Sequence, residues 1–348
     1  MELLINKAQK SRKMTKKNIY LSILFALFLG VHSSSAQKVK IIFDTDMESD
    51  VDDVGALALL HGLAANGEAE ILATMVCSLN PWAVPATDAI NTYFNQPDIP
   101  IGAVKTYGVY RNSKYAKIIS EEFPQDIGLG ENAPDAVTLY RQILSSQSDT
   151  SVVIVTVGYL SNLSNLLNSP PDNISPLNGV ELVRKKVKHL VCMGGRYPYL
   201  QDIGRWGNFK PDPDAIVKVS KVWPTLITFT GGGDFADLIK TGSPSFNHKS
   251  KTDLVARSYN IFLDGWNRDW HHSADLIAVY VAVRGYNEFF KLHTQGYNHI
   301  FEDGTLMWRL QPNDPRHQLV NEFKEDVSPS AVADEFNRLM NLANREMK

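Results

Sequence analysis

From residue 39 to residue 230 the chain alternates short, nearly unbroken apolar runs with stretches of helical periodicity. This alternation restricts the fold more than any other feature. The runs over 39–43, 71–77, 99–104, 152–157, 187–193 and 225–230 read as strands. Between them, 53–65, 83–94, 136–145, 160–167 and a stretch opening at 213–219 read as helices. Strands without polar alternation are buried on both faces. Repeated strand–helix units therefore imply an α/β fold: an open, mostly parallel sheet flanked by helices. Beyond Ser250 the pattern turns mainly helical, over 251–267, 274–284 and 330–346. In such sheets ligands bind outside the carboxyl ends of the strands. The loops after the first, second, fourth and fifth runs would converge on one rim.

The first of those loops is the unusual one. In "IIFDTDMESDVDDVGALALL", Asp44, Asp46, Glu48, Asp50, Asp52 and Asp53 fall within ten residues. Capping the following helix accounts for one or two carboxylates. Crowding all six raises their mutual repulsion and their pKa values, and a hard divalent cation would relieve it. An EF-hand starting at Asp44 fails, because Ser49 stands at the turn glycine and Gly55 at the bidentate Glu. A strand followed by D-x-D, as in haloacid-dehalogenase phosphatases, fits "DTD" but meets Glu48 where Thr or Val belongs.

The 348 residues carry a formal net charge of -3 and are 44% hydrophobic. That is the composition of a soluble globular protein without the basic excess of a nucleic-acid binder. The amino terminus reads as a secretory signal peptide. Lys7, Lys10, Arg12, Lys13, Lys16 and Lys17 precede an apolar run over 19–31, and small residues follow at Ser34 and Ala36. Cleavage is expected after Ala36, leaving 37–348 as one domain, periplasmic or secreted, with no membrane span. Cys77 and Cys192 sit in apolar runs and read as buried thiols.

The acidic stretch resembles the D-x-D-x-G-x-D-D signature of the inosine–uridine nucleoside hydrolases, with two extra residues before the final pair. Further segments are similar to that family in the same order: "VCSLNPWAVPATDAINTYF", "VTVGYLSNLSNLL", "MGGRYPYLQDIGRWGNFKPDPDA" and "HHSADLIAVYVAV". The resemblance spans most of the chain after residue 36. It implies the nucleoside hydrolase fold with a Rossmann-like core. It also implies a calcium ion bound by Asp46, Asp53, Asp275 and the Val157 carbonyl, with Asp44 supporting the loop. Asp46 would be the general base. Asp52, Asn80 and Asn208 would face the ribose hydroxyls. The substrate would be a small molecule, a nucleoside or related N-riboside, and a homo-oligomer is possible within the family.

Two positions depart from the family pattern. Many members place a His just before the carboxylate that returns to the metal, where it protonates the leaving base; here that residue is Ala274. Trp206 stands where a Glu usually contacts ribose, and could stack on a ring or simply pack. His271 and His272 are near in sequence but read as solvated helix-start residues. Asp50 lies in the insertion, without an assigned role. The readings left open are a calcium-dependent N-riboside hydrolase, a sugar-binding relative that kept the metal loop, and a D-x-D phosphohydrolase. The intact Asp44, Asp46, Asp53 and Asp275 favour the first, because a binding module needs no base.

Overall fold

The buried core of the amino-terminal strand explains the sheet built around it. In β1 (Val39–Thr45) the last five residues are buried, with Ile41 and Phe43 facing one core and Ile42 the other. This computed structural model describes residues 37–197, 207–242 and 251–342. The expected signal peptide, its cleavage point and Trp206 lie outside the described residues.

β1 is central in an eight-stranded sheet. The other strands are β2 (Ala69–Val76), β3 (Ile101–Ala103), β4 (Val152–Thr156), β5 (Val187–Gly195), β6 (Leu226–Gly231), β9 (Phe290–His293) and β12 (His317–Phe323). Their order is β3-β2-β1-β4-β5-β6-β12-β9. Every neighbouring pair is parallel except β12 with β9. The sheet is the open, mostly parallel one that the alternation implied. The chain leaves β1 toward β2 and β3, then returns to β4 on the opposite side. Successive loops therefore diverge between the carboxyl ends of β1 and β4, and that divergence opens a crevice.

Helices cover both faces. One side holds α1 (Asp52–Ala65), α2 (Ala83–Tyr93), α10 (Ala274–Arg284) and α11 (Pro329–Met340). The other holds α4 (Ala136–Ser146), α5 (Ser161–Asn168), α6 (Gly179–Lys186) and α7 (Pro213–Val222). α1 is apolar on all sides and is buried from Asp52 to Leu63. Leu57, Leu60 and Leu63 are wholly buried, each worth about 1.5–3 kcal/mol relative to exposure. A Cβ at Gly62 would stand 2.0 Å from the Leu339 carbonyl oxygen, so glycine lets α1 and α11 touch. α6 opens on a capping box between Asn178 and Glu181. Cys77 and Cys192 are buried and unpaired, as their apolar settings implied.

The carboxyl-terminal third contains α9 (Leu254–Leu263), α10 and α11, and also strands that the sequence pattern does not display. β9 and β12 complete the sheet edge. β7 (Thr241–Gly242) pairs with β8 (Trp270–His271), and β10 (Tyr297–Ile300) with β11 (Leu306–Arg309). These strands are short and rich in charged and aromatic residues, so no apolar run marks them. Among the described residues no helix is long and apolar enough to cross a membrane.

Candidate active site

The acidic loop leaves β1 through a sharp turn. Met47 adopts a left-handed conformation, φ 46°. Its N–H donates to Thr45 Oγ1 at 3.1 Å and to Asp53 Oδ1 at 3.2 Å, while the Thr45 hydroxyl donates to the same Asp53 oxygen. The turn thus folds the loop back over the start of α1 and fixes Asp53. Glu48 is buried and wholly engaged. It accepts from the Ser78 hydroxyl, from Tyr159 Oη at 2.8 Å and from the Arg111 N–H at 3.1 Å. One of the six carboxylates is therefore a clamp joining the loops after β1, β2, β3 and β4. Asp44 points inward, where it accepts from Tyr140 Oη at 2.7 Å and Asn162 Nδ2 at 3.3 Å. Burial pushes its carboxyl up to about 7 against the pull of those hydrogen bonds.

Two strand ends meet closely behind this loop. A Cβ on Gly158 would lie 2.5 Å from the Asp46 nitrogen and 2.5 Å from Cys77 Sγ. Glycine alone lets the segment after β4 press against the segment after β1.

In front of the loop lies a cavity of about 560 Å³ at the crevice between β1 and β4. Asp46, Asp52, Asp53, Val157, Asn208, Ala274 and Asp275 all line it. Residues up to 229 positions apart, Asp46 and Asp275, are brought together there. Asp52 and Asp53 begin α1 and Asp275 lies in the first turn of α10. Two helix amino termini therefore face the same negative cluster, which their dipoles favour. The dipoles do not suffice: burial first, and then neighbouring carboxylates, push Asp46, Asp53 and Asp275 well above the ordinary range. The donor set is three carboxylates and one carbonyl, all oxygen. A hard cation of the calcium type fits it and would remove the repulsion.

Not every residue expected at the ribose faces the cavity. Asn80 is turned away: its Nδ2 donates to the Arg111 carbonyl at 2.9 Å and its Oδ1 accepts from the Trp82 N–H at 3.0 Å. One bond at each end of its amide ties the loop after β2 to the loop after β3 and starts α2. Asn208 does reach the cavity, and its Nδ2 donates to the Val157 carbonyl.

The largest departure is the histidine pair. His271 is buried rather than solvated, and its ring lies 3.9 Å from that of His272. His272 lines the cavity. His271 Nε2 stands 3.5 Å from Asp50 Oδ2 and 3.6 Å from Asp52 Oδ1. His272 Nε2 stands 3.4 Å from Asp50 Oδ2 and 3.5 Å from Asp52 Oδ2, and its Nδ1 is 3.4 Å from Asp237 Oδ1. Burial pulls both imidazoles down, but the facing carboxylates outweigh it and raise them. Burial would raise Asp50, yet the two histidines hold it well below the usual range. Arg111, Lys210, Asp237 and Arg268 also line the cavity. None was legible as a site residue, although the aromatic-rich "DGWNRDWHH" marks the neighbourhood.

Comparison with known proteins agrees with this fold. The sequence model of a family described as inosine-uridine preferring nucleoside hydrolase matches residues 41–324. No curated protein matches the sequence. Among solved structures the chain is similar to an inosine-uridine preferring nucleoside hydrolase from Bacillus anthracis, at TM-score 0.63 and 16% identity, over 88% of this chain and 99% of that one. It is similar to a plant nucleoside hydrolase at TM-score 0.61 and 14% identity, over 87% and 98%. It is also similar to the type III effector protein XopQ complexed with adenosine diphosphate ribose, at TM-score 0.62 and 14% identity, over 88% and 94%.

Proposed function

Because the chain belongs to the inosine-uridine preferring nucleoside hydrolase family, we propose that it hydrolyses the N-glycosidic bond of a ribonucleoside or related N-riboside in a calcium-dependent way. The observation that carries this reading is the convergence of Asp46, Asp53, Asp275 and Val157 on one cavity at the carboxyl ends of β1 and β4. Those four residues would hold the ion. When bound, calcium offsets the clustered negative charge and supplies a Lewis acid to the sugar and the attacking water.

The chain's own groups supply the rest. Asp46 accepts a proton from the attacking water as its oxygen bonds to the anomeric carbon. The C–N bond breaks, and the base leaves with the electron pair. The sugar passes through an oxocarbenium-like state, whose positive charge faces the acidic wall. Asp52 and Asn208 hold ribose hydroxyls and fix the reacting geometry. Ala274 offers no proton at its place on the wall, so the leaving base departs with little help from that side.

A nucleoside panel tests the reading, with free ribose and free base quantified together. ADP-ribose belongs in the panel, because Arg111, Lys210 and Arg268 line the same cavity and one structural neighbour is described in complex with it. Release of base and ribose in equal amounts from a nucleoside, or of free adenine from ADP-ribose, supports hydrolysis; binding without release supports the sugar-binding alternative. The layout of residues 1–36 supports export, and an amino terminus at Gln37 in the exported protein would test that.

A further inference from the structure

The cluster of Asp50, Asp52, His271 and His272 shares no residue with the oxygen set of Asp46, Asp53, Val157 and Asp275, and shares only Asp52 with the groups proposed to hold ribose. Its four histidine-to-carboxylate separations are 3.5, 3.6, 3.4 and 3.5 Å. Each exceeds the roughly 2.7–2.9 Å of a charge-assisted hydrogen bond. The three that run among His271 Nε2, His272 Nε2, Asp50 Oδ2 and Asp52 Oδ2, at 3.5, 3.4 and 3.5 Å, lie close to the roughly 3.3–3.4 Å edge of a tetrahedron whose centre is about 2.0–2.1 Å from each corner. One ligand atom from each of the four residues falls within 4.8 Å of the others. His271 Nε2 is buried and makes no hydrogen bond. An imidazole nitrogen that makes no hydrogen bond thus faces both carboxylates. His272 Nδ1 faces Asp237 Oδ1 at 3.4 Å, and the charge of that carboxylate favours a proton on Nδ1, which leaves Nε2 to ligate.

We infer that these four side chains form a second metal site, binding a borderline divalent cation such as Zn²⁺ through His271 Nε2, His272 Nε2 and one oxygen each of Asp50 and Asp52. The two sites sort cations by ligand chemistry. Calcium wants six to eight oxygens and favours the oxygen set, whereas two imidazoles favour a cation later in the first transition row. The site also gives a purpose to the two-residue insertion, which supplies Asp50. Arg268 Nη2 lies 3.3 Å from His271 Nδ1. Ligation through Nε2 puts a proton on Nδ1, so Arg268 yields that contact. It keeps its place over Trp266 and Trp270, 4.3 and 4.6 Å from their ring centres. A metal-bound Nε2 has no proton to give, so the site removes His272 as a donor to a leaving group.

Cobalt is the probe, because four-coordinate Co²⁺ absorbs strongly in the visible. Calcium-saturated protein titrated with Co²⁺ should take up one equivalent with that spectrum, release protons as it binds and lose the signal to Zn²⁺. His272→Ala removes a partly exposed ligand and should weaken cobalt binding at least about 100-fold. Asp237→Asn should weaken it by about 10- to 100-fold, because Asp237 faces the Nδ1 side of a ligating histidine without being a ligand itself. Equal melting temperatures without cobalt would show that both variants fold. No cobalt uptake by calcium-saturated protein, or uptake unchanged in both variants, would overturn the site. The readout does not involve ribose release, so it stands apart from the hydrolytic reading.

Discussion

The backbone N–H of Asp275 donates to Asp52 Oδ2 at 3.3 Å. This bond ties the first turn of α10 to the first turn of α1 across 223 positions of sequence. It brings the last carboxylate of the oxygen set to the other two. The acidic loop is therefore only half a site until the carboxyl-terminal part of the chain has docked.

Asp46→Asn keeps the shape of the side chain and one ligating oxygen but cannot accept a proton. If Asp46 is the base, kcat should fall by about two to four orders of magnitude. Calcium content is measured in parallel. Full metal content with near-normal kcat would assign the base to another residue.

Ala274 lines the cavity where a proton donor would be useful. Turnover should therefore depend on how readily the leaving group departs unaided. A nitrophenyl riboside, with a leaving group of low pKa, should be cleaved much faster than inosine or uridine. Inosine or uridine cleaved as fast as the activated riboside would show that a donor operates at this wall.

Gly158→Ala tests the link between packing and site. The added Cβ meets backbone at the Asp46 nitrogen, so the two strand ends must separate. Overpacking of this kind costs about 1–3 kcal/mol. The variant should melt lower and bind calcium more weakly. Unchanged calcium affinity would show that the approach of the two segments does not set the loop.

Stability at acid pH should reveal the Arg141–Asp172 pair. Arg141 is buried, and its Nε and Nη2 donate to the two oxygens of Asp172 at 2.7 and 2.8 Å. Hydrogen bonding by Arg141 lowers the Asp172 carboxyl to about 2. An unfolded Asp titrates near 4, roughly. Between those values the unfolded chain binds more protons, so stability rises with pH. The contribution is full above about pH 4 and fades as pH falls through about 2. Urea midpoints of the wild type and Asp172→Asn should differ at neutral pH and converge at low pH. A gap that stays constant would place the effect elsewhere.

The parallel sheet was legible because β1, β2, β4, β5 and β6 are continuous apolar runs, and burial on both faces leaves no other reading of them. The convergence of Asp46, Asp53 and Asp275 on one cavity was legible because the three follow a family pattern along one loop and one helix start. Asn80 shows the limit of such transfer: an amide at the matching position is held by the Arg111 and Trp82 backbone. The pairing of Asp50 and Asp52 with His271 and His272 was hidden for a different reason. It depends on where the β7–β8 ribbon docks, and nothing local in "DWHH" encodes that contact. Glu48 was counted with the acidic cluster for the same reason, since its partners Ser78, Arg111 and Tyr159 lie on three other loops.

Calcium re-addition tests the central claim most directly. Protein stripped with a chelator is supplied with calcium in steps, and bound calcium and ribose release are measured at each step. The account predicts loss of ribose release on stripping and recovery in proportion to calcium occupancy, reaching a plateau when the oxygen set is filled. Full ribose release from protein that holds no calcium would contradict it.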